Sequence, residues 1–118
     1  MVYTSTSLAL AAVELFVHLE PNLRPDDLVS IAADVPDGMP TARLAAAGLP
    51  SNWARRGGES LRKLGDNWVR AGKTAALFVP SAAVRAEWNV LLNPAHADFR
   101  AIQVRRPSPF ELDLRMFR

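Results

Sequence analysis

The sequence predicts an α+β fold: a small mixed sheet with flanking helices, in a single domain spanning residues 1–118. Segments typical of strands and helices follow in the order strand, helix, strand, small helices and then three or four strands. That order lacks the regular alternation of a doubly wound α/β protein. The chain has 118 residues, of which 49% are hydrophobic, so one core can form. Nine prolines and six glycines interrupt it often, which argues against a long coiled coil.

The first element is a β-prone segment at residues 2–4, and it leads directly into a helix. The hydroxyls of residues 5–7 can cap that helix, residues 7–19 all suit helical structure, and Pro21 ends it. Nearly all its side chains are apolar, which is typical of a buried helix.

The middle of the chain alternates short elements with turns. Residues 28–35 place apolar side chains at every second position, which predicts one half-buried strand. The following segments are a turn at 36–38, a short helix at 41–47 closed by Gly48, a loop at 50–58, and one or two helical turns at 59–71, broken near Gly65 and ended by Gly72.

Strands dominate the last third. Residues 74–79 form a continuous apolar run before Pro80, the pattern of a buried strand. Residues 81–87 form a turn or short helix, and residues 99–105 and 110–117 alternate as strands.

Several classes of protein are excluded or disfavoured by composition. The absence of cysteine excludes disulfides, thiolate catalysis and cysteine-based metal sites, and with only His18 and His96 a structural metal is not expected. No apolar run reaches the roughly 20 residues of a membrane span, and no basic residue precedes the first apolar run as in a signal peptide. We therefore expect a soluble, cytoplasmic protein without membrane contacts. Neither a dinucleotide-binding nor a P-loop glycine motif occurs, and Gly57-Gly58 is only a flexible pair.

Charge divides unevenly along the chain. The first fifty residues contain two basic and six acidic side chains, and the remainder contains twelve basic and six acidic ones. A basic half can attract nucleic acid. However, the bases form no compact run and occur as the pairs Arg55-Arg56, Arg62-Lys63 and Arg105-Arg106. A solvated surface is therefore favoured, and direct nucleic-acid binding is only a third, weaker hypothesis.

Glu14 is the first candidate for chemistry. A polar group buried without a partner costs about 2–7 kcal/mol, so a carboxylate in so apolar a helix is either paired or retained for function. His18, one helical turn later, is the obvious structural partner.

Four further residues could carry chemistry or bind a ligand. Tyr3 offers a flat aromatic face at the strand that precedes the helix of Glu14, although a core aromatic is the commoner role. Ser81 follows the buried strand, where it could cap a turn or meet a ligand. Asn89 and Asn93 carry amides suited to binding sugars or amides, although Asn93-Pro94 is first of all turn chemistry.

These residues fall within blocks that resemble the RES domain family, the toxin half of RES–Xre toxin–antitoxin pairs. The blocks occur in the family's order over nearly the whole chain. They are Tyr3-Thr4-Ser5 with Ala9 to Glu14, Leu49-Pro50-Ser51-Asn52-Trp53, Leu64-Gly65-Asp66-Asn67-Trp68, Val79-Pro80-Ser81-Ala82, Glu87 to His96, and Phe110 to Arg115.

The resemblance implies a fold similar to the ADP-ribosyltransferase core and an activity that destroys NAD+ at the nicotinamide–ribose bond, by hydrolysis, phosphorolysis or, in some members, ADP-ribosyl transfer. NAD+ would be the substrate, with no separate cofactor. Tyr3 would stack on nicotinamide, Glu14 would stabilise the cationic ribose, and Ser81, Asn89 and Asn93 would position sugar or amide groups. An Xre-type antitoxin is the implied protein partner. Whether the chain also forms a homodimer is left open.

The sequence departs from the family pattern at its start. Family members carry an arginine and a Gly-Gly-Arg-Trp-Asn-like segment before the tyrosine, and neither has a counterpart before Tyr3. We therefore expect a sheet lacking one or two N-terminal strands, with an exposed edge, and weak NAD+ binding. Two interpretations follow: an NAD+-consuming toxin, or a catalytically weak or inactive RES remnant that acts only as a protein-binding module.

Overall fold

The computed structural model describes residues 1–54 and 59–117, and these residues form the predicted α+β arrangement. The predicted Arg55-Arg56 and Gly57-Gly58 pairs lie outside the described residues. Two α-helices are described, α1 (Leu8–His18) and α2 (Glu59–Ala71). The strands are β1 (Val2–Ser5), β2 (Val29–Ser30), β3 (Ala33–Asp34), β4 (Ala42–Arg43), β5 (Ala76–Pro80), β6 (Trp88–Leu92), β7 (Gln103–Val104) and β8 (Ser108–Pro109).

A mixed sheet in the order β1-β6-β5-β4 is the centre of the fold. Strand β6 runs antiparallel to both β1 and β5, whereas β4 runs parallel to β5. The apolar run that predicted a buried strand is β5, whose residues Ala76 and Leu77 are almost completely buried. It lies inside the sheet because both of its edges are paired and both of its faces are covered.

Alternation along β5 and β6 divides the core between the two faces of the sheet. One face carries Leu77, Val79 and Leu91, against which Trp68 of α2 packs. The other face carries a second cluster, consisting of Ala76, Val90, Leu92 and Ile102.

Helix α1 forms where the sequence predicts it but is not the buried helix that its composition suggested. The Ser7 hydroxyl accepts a hydrogen bond from the backbone N–H of Leu10 at 3.1 Å, which caps the helix as expected. Leu10 alone among its residues is buried, and Leu8 and Val17 are exposed. The prediction of a buried helix was wrong because a helix that is apolar nearly all round does not reveal how much of its surface the sheet covers.

Helix α2 is continuous, so the predicted break near Gly65 does not occur. Gly65 is buried against β6: a Cβ added there would lie 3.3 Å from Cδ1 of Leu91. The absent side chain thus permits close helix–sheet packing rather than ending the helix. Gly72 does end it, with a φ of 62° and its N–H bonded to the carbonyl of Trp68.

Four predicted elements are replaced by shorter ones. The strand expected at 28–35 is divided into β2 and β3, which pair with β8 and β7 respectively. Residues 41–47 form no α-helix: they contain β4 and the start of a 3-10 turn at Ala46–Gly48. A 3-10 helix at Ala97–Ala101 takes up the first three residues of the expected strand 99–105, of which only β7 is a strand. Another at Leu114–Phe117 takes up part of the expected strand 110–117. Each two-residue strand depends on its pairing partner, which local alternation does not specify.

Candidate functional site

Three polar residues meet at one edge of the central sheet. Because β6 is antiparallel to both of its neighbours, the ends of β1 and β5 and the start of β6 lie side by side. Ser5 ends β1 opposite Asn89 of β6, and Ser81 follows immediately after β5. Topology therefore assembles this group from three distant parts of the chain.

Glu14 of α1 completes the group. Its Oε1 accepts two hydrogen bonds, from the Ser81 hydroxyl at 2.6 Å and from Asn89 Nδ2 at 3.0 Å. Glu14 is half-buried, and Ser81 is completely buried with an exposed fraction of 0%. Two donors, Ser81 and Asn89, therefore compensate for the cost of a carboxylate in an apolar helix.

The hydrogen-bond directions in this group are determined by chemistry. The Val84 N–H donates to Ser81 Oγ at 3.0 Å, and the Ser81 hydroxyl hydrogen points to Glu14. A carboxylate only accepts, so the amide nitrogen of Asn89 must face Glu14. The amide oxygen of Asn89 then faces Ser5, whose hydroxyl donates to it at 2.7 Å.

The second carboxylate oxygen of Glu14 is available to a ligand. Within residues 1–54 and 59–117, no donor hydrogen-bonds to Oε2. Every buried side-chain oxygen in these residues has a hydrogen-bond partner, so Oε2, which has none, is not buried and is reached by solvent. One oxygen anchors the carboxylate and the other can meet a positive charge or a hydroxyl group.

Tyr3 lies beside this group. It precedes Ser5 by two residues on β1, so both side chains lie on the same face of the sheet. Tyr3 is 63% exposed, and its hydroxyl forms no hydrogen bond to any described residue. An aromatic face is thus open to a ligand about 7 Å along the strand from Ser5.

Asn93 is not brought to Glu14. It follows the far end of β6 from Asn89, where its Oδ1 accepts from the N–H of Ala95 at 3.0 Å and its N–H bonds to the carbonyl of Ala75. This is turn chemistry, as the Asn93-Pro94 dipeptide favoured. His96 closes the same turn and caps the next 3-10 helix.

The expected side-chain pair of Glu14 with His18 is wrong. The Nδ1–H of His18 donates to the backbone carbonyl of Glu14 at 2.7 Å, not to its carboxylate. The carboxylate turns instead toward the sheet, where two donors are buried or half-buried.

Sequence reasoning assigned Ser5 only a helix-capping role, and that role belongs to Ser7. The contact of Ser5 with Asn89 follows from the pairing of β1 with β6, over a sequence separation of 84 residues. Only a correct strand register could have revealed it.

Other polar and apolar features lie away from this group. Trp88 projects to the opposite face from Asn89, and the guanidinium of Arg43 stacks 4.7 Å from its ring centre. An open depression lined by Phe16, Leu19 and Phe117 lies at the end of α1. Among the described residues, no cluster of three acidic or histidine side chains could hold a metal ion.

Neither of the described helices is long and apolar enough to cross a bilayer.

Comparison with known proteins identifies relatives over the full extent of the site. A family model described as RES domain matches residues 1–113. The chain is 37% identical over 121 residues to a protein named Prs ADP-ribosylating toxin from Sphingobium sp. (strain YBL2), a match that covers 100% of this chain and 75% of that protein.

Two further relatives carry the name Toxin Res. The one from Photorhabdus laumondii subsp. laumondii is 32% identical, over 98% of this chain and 74% of its own length. The one from Yersinia enterocolitica is 26% identical, over 98% of this chain and 76% of its own length.

Proposed function

Since this chain belongs to the RES domain family of toxins, we propose that it destroys NAD+ by cleaving the bond between nicotinamide and ribose. The observation that carries the proposal is the Glu14 carboxylate, anchored through Oε1 and open at Oε2. The exposed ring of Tyr3 on the same side of the sheet is the second support.

The chemistry requires a negative charge near the sugar. When the bond between ribose C1′ and the ring nitrogen breaks, nicotinamide leaves with the bonding electrons and the ribose becomes cationic, as in glycoside hydrolysis. Oε2 of Glu14 would stabilise that charge and hold a ribose hydroxyl. Because Oε1 is already bonded to Ser81 and Asn89, little reorganisation is needed as the charge develops.

Tyr3 would hold the leaving group. An exposed phenol ring can stack on the flat nicotinamide ring and position it over the sheet edge. The Ser81 hydroxyl already donates to Glu14 and accepts from the Val84 N–H. Its role would therefore be to hold the carboxylate rather than to bind NAD+.

Three acceptors could complete the reaction. Water gives ADP-ribose, nicotinamide and a proton, and inorganic phosphate gives ADP-ribose 1″-phosphate and nicotinamide. A protein side chain gives an ADP-ribosylated protein, and the relative named Prs ADP-ribosylating toxin favours this as the second candidate. All three routes share the cleavage at one ribose carbon, which is C1′ of the nicotinamide riboside and C1″ of ADP-ribose.

The test is NAD+ consumption by the purified chain, with and without phosphate, followed by chromatography of the nucleotide products. Glu14→Gln should slow consumption by about 100-fold or more, because it removes the charge that stabilises the ribose cation. Glu111→Gln makes the same substitution at an exposed position and should leave the rate unchanged. Intact-protein mass spectrometry of added protein substrates would detect transfer.

No NAD+ loss by the unaltered chain under any of these conditions would contradict the proposal and favour a protein-binding role. Equal rates for the unaltered chain and Glu14→Gln would exclude Glu14 as the group that stabilises the cation.

We also propose that the protein acts in the cytoplasm, where NAD+ is available, and that an Xre-type antitoxin neutralises it. The family membership supports a toxin–antitoxin partner in general. Co-expression should restore growth, and the two chains should co-purify. Growth arrest that co-expression leaves unchanged would contradict this partner.

A further inference from the structure

We infer that Ser5 is a positioning residue that acts on Glu14 through Asn89, an inference that rests on the proposed role of Glu14. Ser5 donates to Asn89 Oδ1 at 2.7 Å, and Asn89 Nδ2 donates to Glu14 Oε1 at 3.0 Å. The three side chains form one directed series of hydrogen bonds from β1 through β6 to α1.

The direction of this series leaves Asn89 a different role from the one that the sequence suggested. Both polar atoms of its amide are already bonded to protein groups, Oδ1 to Ser5 and Nδ2 to Glu14. Asn89 therefore orients the carboxylate instead of serving primarily as a contact for sugar or amide groups of NAD+.

Ser5 determines how firmly that amide is held. Without its hydroxyl, Asn89 keeps one bond and can rotate about its side-chain torsions, since the terminal torsion of asparagine is broad. Whenever Asn89 rotates away, Ser81 alone holds the Glu14 carboxylate through Oε1, and the direction of Oε2 is no longer fixed. A displacement of about 1 Å at a reacting group can reduce a rate by about 100-fold.

The series also joins side chains from two strands and a helix. Ser5 and Asn89 are directly opposed in the β1–β6 register, and Glu14 reaches them from α1. Ser5 and Asn89 are both half-buried, so water competes less for their hydrogen bonds than at an exposed site.

The kinetic test compares Ser5→Ala with Ser5→Thr and Thr6→Val. Ser5→Ala should lower kcat for NAD+ consumption by about 10-fold to 100-fold with KM changed less than about 3-fold, because binding groups such as Tyr3 are untouched. Ser5→Thr keeps a hydroxyl and should retain most of kcat. Thr6→Val removes a nearby hydroxyl whose one hydrogen bond to the described part of the chain is to the Trp88 carbonyl, so it should leave kcat unchanged.

A second measurement needs no activity. In ¹⁵N-labelled protein, the side-chain NH2 of Asn89 should give two separated, slowly exchanging signals in the unaltered chain and in Thr6→Val. Ser5→Ala should move both signals toward the values of a free amide. Asn89 signals that do not respond to Ser5→Ala would overturn the inference, whether or not NAD+ is consumed.

The two measurements separate this inference from the proposed function. Asn89 signals that respond to Ser5→Ala in a protein without NAD+ turnover would support the hydrogen-bond series and reject NAD+ cleavage. NAD+ turnover that is lost in Glu14→Gln but unchanged in Ser5→Ala would support the cleavage and reject the role of Ser5.

Discussion

The hydroxyl of Ser81 lies 2.6 Å from Oε1 of Glu14, although 67 residues separate the two in sequence. This contact joins the middle of α1 to the residue that follows β5. The distance is in the range of a charge-assisted bond between a hydroxyl and a carboxylate, which is about twice as strong as a neutral one. The completely buried Ser81 therefore contributes to the fold as well as to the candidate site.

Replacement of Ser81 by alanine should destabilise the protein by about 1–3 kcal/mol, because Glu14 loses one of its two donors and the Val84 N–H loses its acceptor. Chemical denaturation measures the free energy of unfolding. Ser108→Ala removes an exposed serine hydroxyl and is the control, with an expected change below about 0.5 kcal/mol. Equal effects of the two substitutions would show that the buried network is energetically unimportant.

Tyr3→Ala should raise KM for NAD+ and leave the melting temperature nearly unchanged, because Tyr3 is 63% exposed and contributes little to the core. Tyr3→Phe keeps the aromatic face and should retain KM. Val2→Ala, on the other face of the same strand, should change neither quantity appreciably. A large loss of stability in Tyr3→Ala would assign the ring to packing instead.

Gly65→Val should cost about 1–3 kcal/mol by overpacking α2 against β6. Gly65→Ala should change stability by less than about 1 kcal/mol. Its new Cβ would lie 3.3 Å from Leu91 Cδ1 and 3.5 Å from the end of Met1, while helix propensity improves by about 0.8–1 kcal/mol. Thermal and chemical unfolding of both variants test this, and a stable valine variant would show that the helix can move away from the sheet.

Gly72→Ala should lower stability by about 1–2 kcal/mol, since φ at this position is 62°, a conformation that disfavours a Cβ. Gly72→Asn should lose less, because asparagine tolerates this conformation better. Gly38→Ala is the matched control, because Gly38 has no positive φ and no atom within 4 Å of the added Cβ. An alanine effect at 72 no larger than that at 38 would contradict the role of Gly72 in ending α2.

The elements that the sequence predicted correctly are those with local causes. The apolar run of β5 implies burial on both faces, and the Ser7 hydroxyl and Gly72 mark helix ends by their own chemistry. The short strands β2 and β3 could not be predicted separately, because each exists only through a pairing partner 69 to 80 residues away.

The same distinction applies to the candidate site. Glu14 was a candidate because a lone acid in an apolar helix is costly, and Ser81 because it follows a buried strand. Asn89 and Asn93 are indistinguishable by residue type, yet Asn89 lies near the start of β6 and Asn93 follows its end. Strand length and direction decide that only Asn89 reaches Glu14, and strand register decides that Ser5 bonds to Asn89.

The pairing of β1 with β6 has a consequence for synthesis on the ribosome. Residues 2–5 bond to residues 89–92, so the sheet that holds Ser5 cannot form until most of the chain has been translated. Bacterial and eukaryotic ribosomes add about 5–20 residues per second, so this delay lasts seconds, whereas an isolated helix forms in about a microsecond. A nascent chain therefore carries Glu14 as an ordinary solvated side chain until β6 has emerged, and an incompletely translated chain has no assembled site.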